Sequence, residues 1–105
     1  MCIRDRYLTV LKLCGPANEN FLSFPMEGYS LAMDFKISKT LFDQLKVLDG
    51  IVSRHGGRVY LTKDCRLDMA MLEEGYPMLG EFRTLREAYG LRDKFQSLQS
   101  RRLNI

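Results

Sequence analysis

The chain has 105 residues, 46% hydrophobic and 28% charged, with a formal net charge of +3. That length supports one small domain and too little chain for two independent cores, and the composition is globular rather than disordered. The charges are interleaved without a long single-sign run, and no apolar run approaches the ~20 residues of a membrane span, so neither a nucleic-acid partner nor a transmembrane segment is indicated.

Taken in order, Met1 to Arg6 reads MCIRDR and has no periodicity joining it to the residues after Arg6. It resembles the translated adapter sequence that heads open reading frames taken from assembled DNA. It is therefore set aside as a non-native leader, and the expectation is a C-terminal fragment of a longer protein. Tyr7 to Cys14, YLTVLKLC, is rich in β-formers and predicts a strand. Alternation places Leu8, Val10, Lys12 and Cys14 on one face and Tyr7, Thr9, Leu11 and Leu13 on the other. Gly15 to Asn20 is a loop by its Gly, Pro and Asn content, and Pro25 removes a ladder donor from the stretch after it. Tyr29 to Lys36, YSLAMDFK, predicts a second strand, with Tyr29, Leu31, Met33 and Phe35 on one face. Ser30, Ala32, Asp34 and Lys36 make the other face small and polar, as a ligand-facing or solvent-facing surface would be.

From Lys39 to Arg54 the period becomes helical: Leu41, Leu45, Leu48 and Val52 recur at three or four residues, and Phe42 and Ile51 widen the stripe. Ser38 or Thr40 is placed to cap it, and Gly56-Gly57 to end it. Arg58 to Lys63, RVYLTK, predicts a third strand. Asp68 to Tyr76 predicts a short helix with Asp68 at its N-terminus, broken by Pro77. Gly80 to Gly90 predicts an amphipathic helix with Phe82, Leu85 and Tyr89 on its stripe. Leu91 to Ile105 has too little pattern to assign. The order β, β, α, β, α, α is an α+β pattern: an antiparallel sheet with flanking helices. Three strands make a poor free-standing sheet, which also points to a fragment.

Few residues suit chemistry. The cysteines are Cys2, Cys14 and Cys65, and His55 is the one histidine. No CxxC pair exists, so no metal site or disulfide framework is expected, and a reducing, cytoplasmic compartment fits. The stretch before Gly15 lacks a secretory signal, its apolar part being broken by Lys12. His55 at a helix end reads as a dipole-compensating cation rather than a member of a catalytic set. No glycine-rich phosphate loop is present. Lys12, Tyr60 and Lys63 remain. Lys12 interrupts an apolar strand face. Strict alternation sends Tyr60 and Lys63 to opposite faces, so they address one site only if the strand ends or bulges near Thr62. A lysine there can donate to a hydroxyl or phosphate oxygen, or favour negative charge on a reduced cofactor.

Six stretches in sequence carry a resemblance: KLCGP, SFPMEGY, DF, GGRVYLTKDCR, YPMLGEFR and FQSLQSRRL. In this order they resemble the FAD-linked oxidases of the decaprenylphosphoryl-β-D-ribose 2-oxidase type, within the vanillyl-alcohol-oxidase superfamily, over nearly everything after Arg6. The resemblance implies a two-domain flavoprotein, with residues 7–57 in the substrate domain and residues 58–105 in the segment that returns to the FAD-binding domain. It implies FAD as cofactor, with Tyr60 and Lys63 contacting the flavin and Lys63 as the catalytic residue. It implies a substrate pocket including Lys12, Tyr29, Ser30, Ala32 and Lys63.

The implied reaction is oxidation of a secondary hydroxyl of a sugar derivative, such as polyprenylphosphoryl ribose, in cell-wall biosynthesis. A partner reductase and membrane association are compatible with it. Ser30 and Ala32 depart from the Asn and Cys of mycobacterial members, and Arg92-Asp93 lacks the proline usual before the terminal motif. Two other readings stay open. One is a small self-contained α+β binding or regulatory module without catalysis, which predicts cooperative unfolding of the chain alone. The other is a sugar-lactone oxidase of the same superfamily, distinguished by a turnover panel.

Overall fold

The computed structural model describes residues 6–105. The expected leader lies outside the described residues except for Arg6, whose backbone opens the first strand. β1 (Arg6–Cys14) and β2 (Gly28–Phe35) form an antiparallel hairpin. Cys14 pairs with Gly28, Lys12 with Ser30 and Val10 with Ala32, and the register shifts between Arg6 and Thr9. Apolar side chains stay exposed on both faces, including Leu8, Leu11, Leu13, Tyr29 and Leu31.

The helices follow the apolar periodicity. α1 (Leu41–Arg54) starts two residues later than expected, and Thr40 occupies its N-cap position without a side-chain hydrogen bond. Leu41, Leu45, Leu48 and Val52 are its more buried side, while Phe42 and Ile51, expected to widen the stripe, remain exposed. It ends as expected: Gly56 takes φ +70°, its N–H donates to Ser53 O (2.9 Å), and Gly57 N–H donates to Val52 O (2.9 Å). This pair of bonds closes the last turn and needs a left-handed residue at Gly56.

The expected third strand does not form. Tyr60 is extended (φ −76°, ψ 109°), but Leu61–Lys63 closes into a single 3₁₀ turn. Lys63 N–H donates to Tyr60 O (3.1 Å) and Asp64 N–H to Leu61 O (3.3 Å). Two causes act together. Among the described residues the sheet has two strands, so the segment has no ladder partner. Asp64 also turns the chain just past the run, because its carboxylate accepts from the N–H groups of Arg66 (2.8 Å) and Leu67 (2.6 Å). Such side-chain bonds to nearby backbone compete with strand pairing and win where pairing is lacking.

α2 (Met69–Gly75) is capped as expected by Asp68, which accepts from Met71 N–H (2.9 Å). α3 (Leu79–Ala88) follows Pro77 and stops at Gly90, φ +62°. Of its expected stripe only Phe82 is partly buried, while Leu85 and Tyr89 are exposed; the buried residue is Leu79, which the stripe did not include. The unassigned tail contains α4 (Leu98–Leu103), opened by a capping box in which Ser97 Oγ accepts from Ser100 N–H and Ser100 Oγ accepts from Ser97 N–H.

The core lies among α2, α3, α4 and the segment around the 3₁₀ turn. Leu67, Leu72, Tyr76, Leu79 and Leu103 form it, with Leu22, Val59, Leu61, Met71 and Ile105 partly buried around them. The hairpin contributes none of the five, and the radius of gyration is 15.3 Å. A compact chain of this length would have about 13 Å. The α+β class is as expected, with one strand fewer.

Candidate functional site

The segment between α1 and α2 is held from three sides. Gly75 is buried in α2, where an added Cβ would lie 3.0 Å from Arg58 Cβ. The absence of a side chain lets the helix approach the backbone at Arg58. Arg58 then lies over the Tyr76 ring, 5.2 Å from its centroid, and donates to Ser23 O (3.0 Å). Tyr76 Oη donates to Val59 O (2.6 Å). Burial raises the Tyr76 phenol above its ordinary pKa despite the nearby Arg58 cation, so it stays a donor.

Next along the chain, Tyr60 packs tilted against Phe24, with centroids 4.9 Å apart and 42° between planes. This joins the SFP and GGRVY stretches in space. The Tyr60 side chain remains 44% exposed. Lys63 is exposed, and among the described residues it makes no ion pair. With no strand there, alternation does not govern the two side chains: the extended backbone ends at Tyr60, and a backbone hydrogen bond links Lys63 to Tyr60 across the 3₁₀ turn.

Asp64 is the centre of the bonding below Lys63. Its side chain is 2% exposed. It accepts from the two backbone N–H groups already given, from Gln99 Nε2 (3.2 Å) and from Arg102 Nη2. Burial by itself would raise its pKa. The N–H groups of Leu67 and Arg66, the Gln99 amide and the Arg102 cation outweigh it and hold the carboxyl below its ordinary value. A depressed carboxyl stabilises the fold fully above its unfolded value of about 3.9, and this contribution is lost as pH falls through the folded value. Thermal melts between about pH 5 and pH 2 should therefore show a steeper acid loss for the unmodified protein than for Asp64→Asn. Equal slopes would remove Asp64 from the acid response.

Arg66 reaches the other way, pairing through both terminal nitrogens with Asp49 of α1. The Asp49 hydrogen bond, outweighing the cost of burial, raises its pKa and keeps it a fixed cation.

The hairpin brings a second group together. Lys12 lies directly across from Ser30, and Val10 across from Ala32, so Lys12, Ser30 and Ala32 share a face. Tyr29 pairs with Leu13 and belongs to the opposite face. Among the described residues, no hydrogen bond, ion pair or aromatic contact joins the Lys12 group to Lys63. His55 Nδ1 donates to Ile51 O (2.8 Å), its expected place at a helix end. The open groove between α1 and α2, lined by Lys46, Asp49, Ser53, Met71 and Glu74, includes none of the expected site residues.

Tyr60 thus offers a half-exposed aromatic ring, and Lys63 an exposed ammonium without an ion pair among the described residues. Among the described residues no group of three His, Cys, Asp or Glu side chains is placed for a metal, and no helix is long and apolar enough to cross a membrane. The roles of Asp64, Tyr76, Gln99 and Arg102 are not foreseen by the sequence patterns. All four stand inside the GGRVYLTKDCR, YPMLGEFR and FQSLQSRRL stretches of the resemblance, which is the signal that could have found them.

No family model matches the chain. Similarity to curated proteins is nevertheless extensive, and one of them is named an oxidase. The chain is 35% identical over 99 residues to decaprenylphosphoryl-β-D-ribose oxidase of Mycolicibacterium smegmatis, covering 94% of this chain and 22% of that protein. It is 37% identical over 97 residues, 91% of this chain and 26% of the other, to a Streptomyces coelicolor protein described as an uncharacterized protein in the mprA 5′ region. The chain thus spans about a quarter of the length of these relatives. The oxidase resemblance carried by the six stretches is real and extends across nearly the whole chain.

Proposed function

We propose that the chain is part of an FAD-dependent oxidoreductase that oxidises a secondary hydroxyl of a sugar derivative, with polyprenylphosphoryl ribose as the substrate class. The observation that carries this is the 35% identity to the mycobacterial oxidase over 94% of the chain. The exposed, unpaired Lys63 on a bonded turn beside the half-exposed Tyr60 supports it independently.

When bound, FAD would supply the acceptor for the hydride leaving the carbinol carbon, with the hydroxyl proton released to solvent as the carbonyl forms. Lys63 donates from its ammonium to a substrate oxygen and favours negative charge beside it. Tyr60, backed by Phe24, packs against the cofactor. Lys12 and Ser30 offer donors from one hairpin face, and the small Ala32 beside them leaves space for a sugar. Tyr29, on the opposite face of the hairpin, is left out of this sugar contact. Residues 7–57 then belong to the substrate domain and residues 58–105 to the flavin domain. Reoxidation needs an electron acceptor, for which a partner reductase is one class. A cytoplasmic or membrane-surface site suits a lipid-linked sugar.

The test is purification of the complete polypeptide that contains this chain. Bound flavin, bleached anaerobically by polyprenylphosphoryl ribose and not by sugar lactone precursors, is the expected result. A protein free of flavin overturns the reading, and bleaching by the lactone precursors alone reassigns the substrate.

A further inference from the structure

The turn that carries Lys63 is clamped from the far end of the chain. Gln99 and Arg102 lie three residues apart in α4, on one side of the helix. Gln99 Nε2 donates to Leu61 O (2.7 Å), inside the turn, and to Asp64 Oδ2 (3.2 Å), just past it. Arg102 Nη1 donates to Cys65 O (2.7 Å) and Nη2 to the same Asp64 carboxylate. With Arg66 N–H and Leu67 N–H on Asp64 Oδ1, both carboxylate oxygens are occupied. The carboxylate is almost fully buried, yet the residue before it is exposed and makes no ion pair among the described residues. A buried, fully bonded anion adjacent to a free cation is an arrangement for fixing where that cation starts, without neutralising it.

We propose that Asp64, gripped by Gln99 and Arg102, is a positioning residue for Lys63: it sets the turn from which the ammonium reaches the reacting oxygen. This rests on the functional reading above and deepens it. With its side chain buried and both carboxylate oxygens taken by these donors, Asp64 acts through Lys63. Misplacing a reacting group by an ångström costs up to ~10²-fold in rate, so a loosened turn is a measurable defect.

The experiment uses the complete flavoprotein with rates expressed per bound FAD. Asp64→Asn keeps the shape but drops the charge facing Arg102, and should slow flavin reduction by substrate about 10-fold. In a Lys63→Ala background the same change should alter the rate less than about twofold, because residues acting as a unit are non-additive. The midpoint potential of the bound FAD gives a second readout. Lys63→Ala should lower it, Asp64→Asn should lower it less, and the double variant should match Lys63→Ala. Arg102→Gln, which leaves Asp64 its backbone donors, should repeat the pattern more weakly and serves if Asp64→Asn fails to fold. Equal rate factors in both backgrounds, or an unmoved potential in Asp64→Asn and Arg102→Gln alike, overturn the positioning role and leave the oxidase reading intact. Absence of FAD from the unmodified protein overturns both.

Discussion

Lys63→Ala in the complete polypeptide is expected to slow flavin reduction by substrate about 10²-fold, the usual scale for removing one preorganised donor at a reacting oxygen. The expectation rests on contrast within the site. The neighbours of Lys63 are committed: Tyr60 to Phe24, Asp64 to four donors, Arg66 to Asp49. Lys63 projects free from a turn that others hold. Stability should therefore change by no more than about 0.5 kcal/mol, as for an exposed residue without partners. Lys63→Arg should recover only part of the rate, since a planar, longer guanidinium does not reproduce a compact ammonium. Lys12→Ala, on the hairpin face with Ser30, should act chiefly on KM. Stopped-flow reduction under anaerobic conditions separates these, and near-normal reduction in Lys63→Ala would remove its catalytic role.

How much the sequence discloses depends on how local each signal is. The faces of the hairpin are legible because alternation is a property of each strand alone, and the observed pairing of Lys12 with Ser30 joins the two faces that alternation defines. The buried side of α1 is legible for the same reason at a different period. The segment Arg58 to Lys63 misleads because its β-formers carry only a propensity, while the carboxylate of Asp64 and the missing ladder partner lie outside the run. α4 is hidden because it is six residues long and commits one leucine, Leu103, to the core. Its capping box uses Ser100 in place of the usual Glu or Gln, which obscures its start. The clamp on Lys63 is beyond any local rule, since Gln99 and Arg102 reach Asp64 across 35 and 38 residues of chain.

That short helix also carries the largest expected stability effect. Leu103 is fully buried among Leu67, Leu72, Tyr76 and Leu79. Leu103→Ala should cost about 2–5 kcal/mol, by lost transfer energy and the cavity left behind. The site has little freedom to collapse. Arg83 of α3 donates to Leu103 O (3.2 Å) and to Asn104 O (2.9 Å), pinning the backbone on both sides of the bond after the leucine. Asn104 itself sits at φ 53°, ending the helix where a continuing turn would have let the chain shift. Leu98, on the same helix, is 85% exposed, and Leu98→Ala should change stability by less than about 0.5 kcal/mol. Urea unfolding of the two variants in the complete polypeptide gives the comparison. If both leucines prove equally dispensable, α4 is not part of the core, and the grip of Gln99 and Arg102 on the Lys63 turn has nothing to hold it in place. A large difference anchors α4, and through it the turn, to the same five side chains that make this end of the chain fold.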